Sequence, residues 1–290
     1  MKETTIGPEH TTEGDIFFNY ALWPYKPAVP HANKFRSLNL LLHSFETAGG
    51  DERLLQLVGM IREKVGTSNT VWGVKHTGEG MKWELYFYDY ARSRRQRSIS
   101  LVLDAIKPLV SSPINPNEGL LYFMFSLDID NGLVRRERDL EELHMYIGNP
   151  GSSVSSGICY ALSPAGSRLE NFYFFFDART QLDDVFAKVA CSAHVDMTRI
   201  GIDSIVVPEL RDCRTICVAN KQKNDCIYFA GITIDQFISF LRRLNYPGET
   251  VSFVEKNRSM LDHLEYDVGF DYRMDGSGLK ILKSGYYGIF

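Results

Sequence analysis

The sequence lacks the features that mark several large classes of protein. Its 290 residues carry 32 Lys and Arg against 36 Asp and Glu, so there is no basic excess of the kind that a general nucleic-acid binder shows. Its apolar runs, such as residues 120–127, are too short to span a bilayer. Residues 1–15 are polar and acidic, without the basic-then-apolar order of a signal peptide. We therefore expect neither nucleic acid as a partner nor a membrane span.

Cysteine is also scarce. Five cysteines are an odd number in a long chain, which argues against a disulfide framework and predicts a reduced, cytoplasmic protein. The cysteines and the seven histidines show no zinc-binding spacing. The sequence contains neither a glycine-rich dinucleotide motif nor a P-loop. No metal and no cofactor is therefore expected.

Aromatic residues are abundant in what remains. They make up 12% of the chain, with 15 Tyr and 18 Phe, in a composition that is otherwise typical of a globular protein. Residues 1–30 contain four prolines and are predicted to form an irregular N-terminal arm. No linker divides the rest, so 31–290 is predicted to be a single domain.

The domain begins with two predicted helices and continues as repeated strand–turn–strand units. The helices are predicted over 33–47 and over 52–65, the second capped by Asp51. About five hairpins follow, which makes about ten strands, and three of the hairpins lead directly into a helix. The hairpins are predicted over 70–90, 120–147, 157–177, 214–231 and 265–289, and the helices over 93–109, 182–191 and 234–244.

The strand at 81–88 separates two kinds of side chain. Its odd positions are all apolar, whereas its even positions are Lys82, Glu84, Tyr86 and Tyr88. Because helices pack on an apolar sheet face, the even face is expected to meet solvent or a wet cavity. Most other strands repeat this division, with a tyrosine on nearly every polar face.

An open sheet of ten strands with one bare face would leave long edges to protect. Closing the sheet removes the edges. We therefore predict an α+β fold, a closed antiparallel barrel of about ten strands with helices on the outside. A barrel of this size leaves a lumen wide enough for a ligand.

Three short segments resemble the aromatic prenyltransferase family, also called ABBA or PT-barrel proteins. The segment 171–174 reads Asn-Phe-Tyr-Phe, 283–287 reads Lys-Ser-Gly-Tyr-Tyr, and 84–87 reads Glu-Leu-Tyr-Phe. The resemblance implies that Lys283 holds a diphosphate, that Tyr173 flanks the prenyl chain, and that Gly285 and Tyr287 line the acceptor pocket.

The same resemblance also implies features of the reaction. Tyr86 stands where magnesium-dependent members carry an aspartate, so magnesium is not expected to be required. Cys217 and Cys226 depart from the family pattern, at positions where a serine and an arginine are expected. The partners implied are an allylic diphosphate, dimethylallyl or geranyl, and a small electron-rich aromatic acceptor, with a role in secondary metabolism.

Prenyl transfer requires cations for the diphosphate, electron-rich rings for the allylic cation, and exclusion of water. The candidate diphosphate ligands are Lys75, Lys82, His144, Arg168, Arg214, Arg273 and Lys283. The candidate pocket residues are Tyr86, Tyr146, Tyr173, Cys217, Tyr228, Gly285 and Tyr287. Glu84 or Asp271 is a candidate acceptor for the proton that the ring loses, or for orienting a phenol.

Two other functions fit the sequence. A non-catalytic protein could use the same tyrosine-rich cavity to bind a small aromatic ligand. A cysteine-dependent enzyme on a five-unit barrel or propeller would use Cys217 or Cys226 as its nucleophile, with a histidine beside it.

Overall fold

A computed structural model describes residues 7–149, 152, 154–276 and 278–290. Residues 1–6 of the predicted arm lie outside the described residues. The described part of the arm holds two short paired strands, β1 (Phe17–Phe18) and β2 (Pro24–Tyr25). Helices α1 (Leu38–Thr47) and α2 (Glu52–Val65) follow.

Ten further strands form a closed barrel, as the sequence predicts. Each strand pairs antiparallel with its neighbours in the chain, and the last strand pairs with the first, which closes the sheet. The strands are β3 (Thr70–Thr77), β4 (Gly80–Tyr88), β5 (Met124–Ile129), β6 (Leu143–Gly148), β7 (Ser155–Ser163), β8 (Gly166–Asp177), β9 (Thr215–Lys221), β10 (Asp225–Ile232), β11 (Tyr266–Asp275) and β12 (Gly278–Ile289).

The remaining helices within the described residues lie between the strands. They are α3 (Ile99–Ile106), α4 (Asn131–Val134), α5 (Leu182–Ala190), α6 (Ile234–Arg243), α7 (Gly248–Lys256) and α8 (Arg258–Leu261). None of the helices in the described part of the chain combines the length and the apolar character of a membrane-spanning segment.

The main hydrophobic core lies between the helices and the outer face of the barrel. Trp83, Leu85 and Phe87 of β4 are buried there. The Trp83 ring meets Phe45 of α1 edge to face at 4.8 Å, and its Nε1–H donates to Ser44 Oγ at 2.9 Å. The alternate residues Glu84, Tyr86 and Tyr88 of β4 face the lumen, so the division of the two faces follows the sequence pattern over this part of the strand.

The bounds of several elements differ from the sequence predictions. The first helix begins at Leu38 instead of residue 33, and the strand predicted from residue 120 begins at Met124. The helix predicted over 93–109 is regular only over Ile99–Ile106, where the side chain of Ser98 caps its first turn. The sequence pattern does not predict α7, because Gly248 and β-branched residues are poor helix formers; packing against α1 and α6 supports this helix instead.

Candidate functional site

The lumen contains two cavities, one toward each end of the barrel. The first lies at the end where the short hairpin turns lie, and its volume is about 370 Å³. We call it the polar chamber; its ionisable side chains are Lys75, Glu84, Glu142, His144, Arg168, Glu170, Lys221, Lys223, Asp271 and Lys283. The second, of about 260 Å³, lies at the end where the arm crosses the barrel. We call it the apolar chamber; its lining includes Tyr88, Phe123, Met124, Phe175, Cys217 and Ala230.

A layer of tyrosines lies between the two chambers. We call it the tyrosine layer; it consists of Tyr20, Tyr86, Tyr146, Tyr173, Tyr228 and Tyr287. Neighbouring ring centroids are 5.0 to 6.4 Å apart, from Tyr146 through Tyr173, Tyr228, Tyr287 and Tyr20 to Tyr86. Burial raises the pKa of each ring hydroxyl well above its usual range, so the layer presents neutral, electron-rich faces.

Two glycines make room for this layer. A Cβ atom on Gly73 would lie 2.8 Å from the Tyr287 ring, and one on Gly269 would lie 2.4 Å from the Tyr228 ring. These distances are shorter than van der Waals contact, so any larger residue would displace the rings. The glycines therefore help to fix where the tyrosines lie.

Glu84 is the centre of a buried hydrogen-bond network on one wall of the polar chamber. Its carboxylate accepts hydrogen bonds from Tyr86 OH at 2.5 Å and from Ser126 Oγ at 2.5 Å, and it forms an ion pair with Lys75. Lys75 Nζ also donates to Asp128 Oδ1 at 2.8 Å. Burial alone would raise the pKa of Glu84, but Lys75, His144 and the hydrogen bonds outweigh it and hold this pKa at about 2.

Asp271 of β11 is the centre of a second network, three strands away from β4 around the barrel. It accepts hydrogen bonds from Lys221 Nζ at 2.9 and 3.0 Å and from Asn224 Nδ2 at 3.0 Å. Lys283 Nζ lies 3.6 Å from the same carboxylate. Burial opposes ionisation of Asp271, yet the two lysines hold its pKa at about 2.

Lys283 is less well compensated than the other two lysines. Burial lowers the pKa of its amine, and the positive charges of Lys75 and Lys221 lower it further, against the opposing effect of Asp271 and Glu84. By contrast, burial also lowers the pKa of Lys75, but the negative charges of Glu84 and Asp128 have the larger effect and raise it. Of these three lysines, Lys283 therefore has the most to gain from an added anion.

The mouth of the polar chamber carries a further set of charges. Arg168 forms ion pairs with Glu142, at 3.1 Å, and with Glu170. His144 Nε2 lies 3.9 Å from Glu142. In total the lining holds five Lys or Arg and four Asp or Glu side chains, so the chamber is almost neutral rather than strongly positive.

Most of the residues singled out in the sequence meet in this lumen. The predicted diphosphate ligands Lys75, His144, Arg168 and Lys283 line the polar chamber, as do the candidate proton acceptors Glu84 and Asp271. All five predicted strand tyrosines belong to the tyrosine layer. Gly285 lines the polar chamber, and Cys217 lines the apolar chamber.

Three predicted diphosphate ligands do not line either chamber. Lys82 lies at the edge of the barrel wall, because pairing of β4 with β5 begins at the next residue, Trp83. The Lys82 side chain is 51% exposed and forms an ion pair with Glu79. Arg214 lies at the other end of the barrel, where it donates to Glu265 at 2.5 Å. Arg273 is exposed, one residue beyond Tyr272, where pairing with β10 ends. We therefore leave these three out of the proposed site.

Sequence reasoning missed several lumen residues. Lys221 and Ser126 carry a usable signal, because Lys221 shares a strand face with Cys217 and Ser126 shares one with Met124, and these faces line the lumen. Asn224 lies in a hairpin turn, where no periodicity indicates a direction. Tyr20 belongs to the arm and carries no signal that would place it in a barrel formed 50 residues later.

The cysteines of the lumen show no sign of activation. Burial raises the pKa of Cys159 to about 12 and that of Cys217 and Cys226 in the same direction. A reactive cysteine needs the opposite shift. Among the described residues, no group of three or more His, Cys, Asp or Glu side chains is arranged to hold a metal ion.

The comparison with solved structures supports the fold, and the comparisons do not identify the family of the chain. The chain is similar to the solved structure of NotF prenyltransferase, with a TM-score of 0.57 and 8% identity, over 86% of this chain and 92% of that one. It is also 20% identical to a curated protein of Acanthamoeba polyphaga mimivirus whose name describes it as JmjC domain-containing. That match covers 99% of this chain but only 51% of the viral protein, so the chain spans about half of its length. No family model matches the sequence.

The barrel is therefore of the kind that a prenyltransferase uses. At this level of identity the likeness to the solved structure concerns the architecture alone. Any activity has to be argued from the side chains of the lumen.

Proposed function

We propose that the protein transfers a prenyl group from an allylic diphosphate, dimethylallyl or geranyl, to an electron-rich aromatic acceptor inside the barrel. The observation that carries the proposal is that the tyrosine layer lines the same chamber as Lys75, Lys221 and Lys283, whose side chains are 14%, 13% and 38% exposed. A diphosphate held by the lysines would leave its allylic carbon against neutral aromatic faces. Cation–π contact is worth about 0.5–2 kcal/mol for each ring.

Lys283, Lys75 and Lys221 are the proposed diphosphate ligands. In the reaction the allylic C–O bond breaks and the diphosphate leaves with the electron pair, while a C–C bond forms to a carbon of the acceptor ring. The ring then loses the proton from that carbon. The closed wall of the barrel keeps water away from the allylic cation.

The pKa values alter the roles expected for the carboxylates. Glu84 and Asp271, both with a pKa of about 2, are weak bases. We assign them to holding the lysines, and Glu84 also to orienting Tyr86. The ring proton is assigned to the departing diphosphate, a stronger base than either carboxylate.

The near-neutral charge of the polar chamber favours a second candidate, a binding protein for a small aromatic ligand. Lys75 and Lys221 are already paired with carboxylates, so a diphosphate has to compete with Glu84 and Asp271. An uncharged phenol would face no such competition. The raised pKa values of the cysteines argue against the cysteine-dependent alternative.

Turnover separates the two candidates. The protein is incubated with dimethylallyl or geranyl diphosphate and a panel of phenols and indoles, and products are identified by mass spectrometry together with released diphosphate. Prenylated product that depends on both substrates supports the transferase. Acceptor binding that is unaffected by the diphosphate, without product, supports the binding protein.

A further inference from the structure

Tyr20 is the one member of the tyrosine layer that does not come from a barrel strand. It belongs to the N-terminal arm, and its ring reaches the lumen, where it contacts three strand tyrosines edge to face. The centroid distances are 5.0 Å to Tyr287, 5.4 Å to Tyr86 and 6.1 Å to Tyr88. The ring lines both the polar and the apolar chamber.

A hydrogen-bonded turn fixes the direction of this ring. Asn19 Oδ1 accepts hydrogen bonds from the N–H groups of Ala21 and Trp23, both at 3.0 Å. Leu22 has a φ of 57°, in the left-handed region, which lets the chain reverse immediately after Tyr20. The Tyr20 N–H donates to Asp267 Oδ2 at 2.7 Å, and this bond ties the turn to β11.

Two more contacts fasten the arm to the barrel. Tyr90 OH donates to the carbonyl of Ala21 at 2.8 Å, and the Glu265 N–H donates to Tyr25 OH at 3.0 Å. None of these contacts uses the side chain of Tyr20. Tyr20→Gly therefore removes the ring and keeps the anchors of the arm.

We infer that Tyr20 is a specificity-determining residue, whose ring separates the two chambers and so limits the length of an apolar chain that extends from the polar chamber. The inference rests on the proposed function for the identity of the chain as a prenyl group. The apolar chamber beyond the ring is lined by Phe123, Met124 and Phe175, which suit additional isoprene units. Tyr146, Tyr173, Tyr228 and Tyr287 border both chambers as well, so removal of the Tyr20 ring is expected to widen the passage between the chambers.

The first test compares donors of different length. Binding of dimethylallyl and farnesyl diphosphate is measured by calorimetry for the wild type, Tyr20→Gly and Tyr20→Trp. In Tyr20→Gly we expect the preference for farnesyl over dimethylallyl diphosphate to rise at least about tenfold, because more methylene groups are buried. Tyr20→Trp is expected to shift the preference the other way.

Two control variants separate the ring from general effects on the arm. Phe18→Ala removes an aromatic ring from the same arm, at a residue that borders the groove between arm and barrel and lines neither chamber. It is expected to keep the wild-type preference. Tyr20→Phe keeps the ring and is expected to keep the preference too. Thermal unfolding of every variant confirms that it is folded, and Tyr20→Trp provides the test if Tyr20→Gly does not fold.

A second set of probes makes the inference independent of diphosphate binding. A series of 4-alkylphenols, from ethyl to octyl, is titrated against the same variants. If no diphosphate binds but Tyr20→Gly accepts longer alkylphenols than the wild type, the inference holds and the proposed function fails. If diphosphates bind and turn over with the same length preference in the wild type, Tyr20→Gly and Tyr20→Trp, the inference is overturned and the proposed function stands.

Discussion

The two chambers of the lumen belong to the same barrel and differ in their lining. The polar chamber holds buried ion pairs around Glu84 and Asp271, whereas the apolar chamber is lined mainly by aromatic and aliphatic side chains. Inward-facing positions toward the hairpin turns are mostly polar or charged, and those toward the arm are mostly apolar, with Asp267 as an exception. The lumen can therefore accept a molecule that is charged at one end and apolar at the other.

The electrostatic networks also differ. In the polar chamber, lysines hold the pKa values of two carboxylates at about 2. At the arm end, burial raises the pKa of Asp267 to about 7, despite the hydrogen bonds from the N–H groups of Tyr20 and Gly231 and the more distant charge of Arg214. Similar burial thus produces opposite shifts, because the lysines of the polar chamber compensate the charge of their carboxylates far more closely.

The largest expected effect is on stability in the polar chamber. Glu84→Ala removes one of the two carboxylates that pair with the largely buried Lys75. Only Asp128 remains as its partner, and the Asp128 side chain is 53% exposed. Removing one partner of a buried ion pair lowers the free energy of unfolding by about 3–5 kcal/mol, and we expect a value near ~3 kcal/mol because Asp128 still pairs with Lys75. Urea unfolding measures this change. Met124→Leu, a volume-conserving change in the apolar chamber, is the control, with a cost under about 1.5 kcal/mol. Equal losses in the two variants would remove the energetic contrast between the chambers.

The next effect concerns donor binding. Lys283→Ala is expected to weaken binding of the diphosphate donor about 10- to 150-fold, the equivalent of ~1.5–3 kcal/mol for a charge-assisted contact, and to affect acceptor binding less. Lys82→Ala, at an exposed lysine outside both chambers, is the control and is expected to change neither. Calorimetric titration with geranyl diphosphate and with a phenol gives both affinities. A uniform loss for donor and acceptor would contradict the role assigned to Lys283.

The pH dependence of stability is expected to have opposite signs at the two ends. In the folded protein the pKa values of Glu84 and Asp271 lie below those of the unfolded chain, which are 4.5 and 3.8. The two carboxylates therefore stabilise the fold at pH values above 4.5, and this contribution is lost as the pH falls toward 2. The pKa of Asp267 is raised from 3.8 in the unfolded chain to about 7 in the folded protein. Protonated Asp267 therefore stabilises the fold at pH values below 3.8, and this contribution is lost as the pH rises through about 7.

Asp267→Asn isolates the second of these effects. Relative to the variant, the wild type is expected to lose stability as the pH rises from about 4 to about 7. Urea unfolding at a series of pH values measures the difference. A difference that stays constant over this range would show that Asp267 titrates normally.

The smallest expected effect is that of metal removal. A phenol at position 86 is a poor ligand for magnesium, which prefers carboxylate and phosphate oxygens, and the lysines of the polar chamber are the proposed counter-charge. We predict that turnover is unchanged in excess EDTA. Glu84 lies two residues away on the same face and is the alternative ligand. Activity that disappears in EDTA and returns with magnesium would refute the prediction.

Strand alternation predicts most of the fold. In β4, polar and apolar residues alternate without interruption from Met81 to Tyr88, so the pattern alone assigns Glu84 and Tyr86 to the lumen. The same alternation is misleading at Lys82, because the period of two gives the face of a strand and not the height at which the barrel ends. Arg214 lies away from the polar chamber for a related reason, since this residue precedes β9 at the end opposite to the lysines.

The sequence by itself determined which face of β4, β5, β6, β8 and β10 lines the lumen, because strand periodicity is a local property of the chain. The need to protect strand edges predicted that the sheet closes, and the pairing of β12 with β3 confirms it. Only the tertiary structure decided which lysines are paired, that Asp267 and Glu84 have opposite pKa shifts, and that Tyr20 completes the tyrosine layer. These depend on distances between residues far apart in the chain, such as the bond from Tyr20 to Asp267. Electrostatic and packing energies follow those distances, and the linear pattern does not contain them.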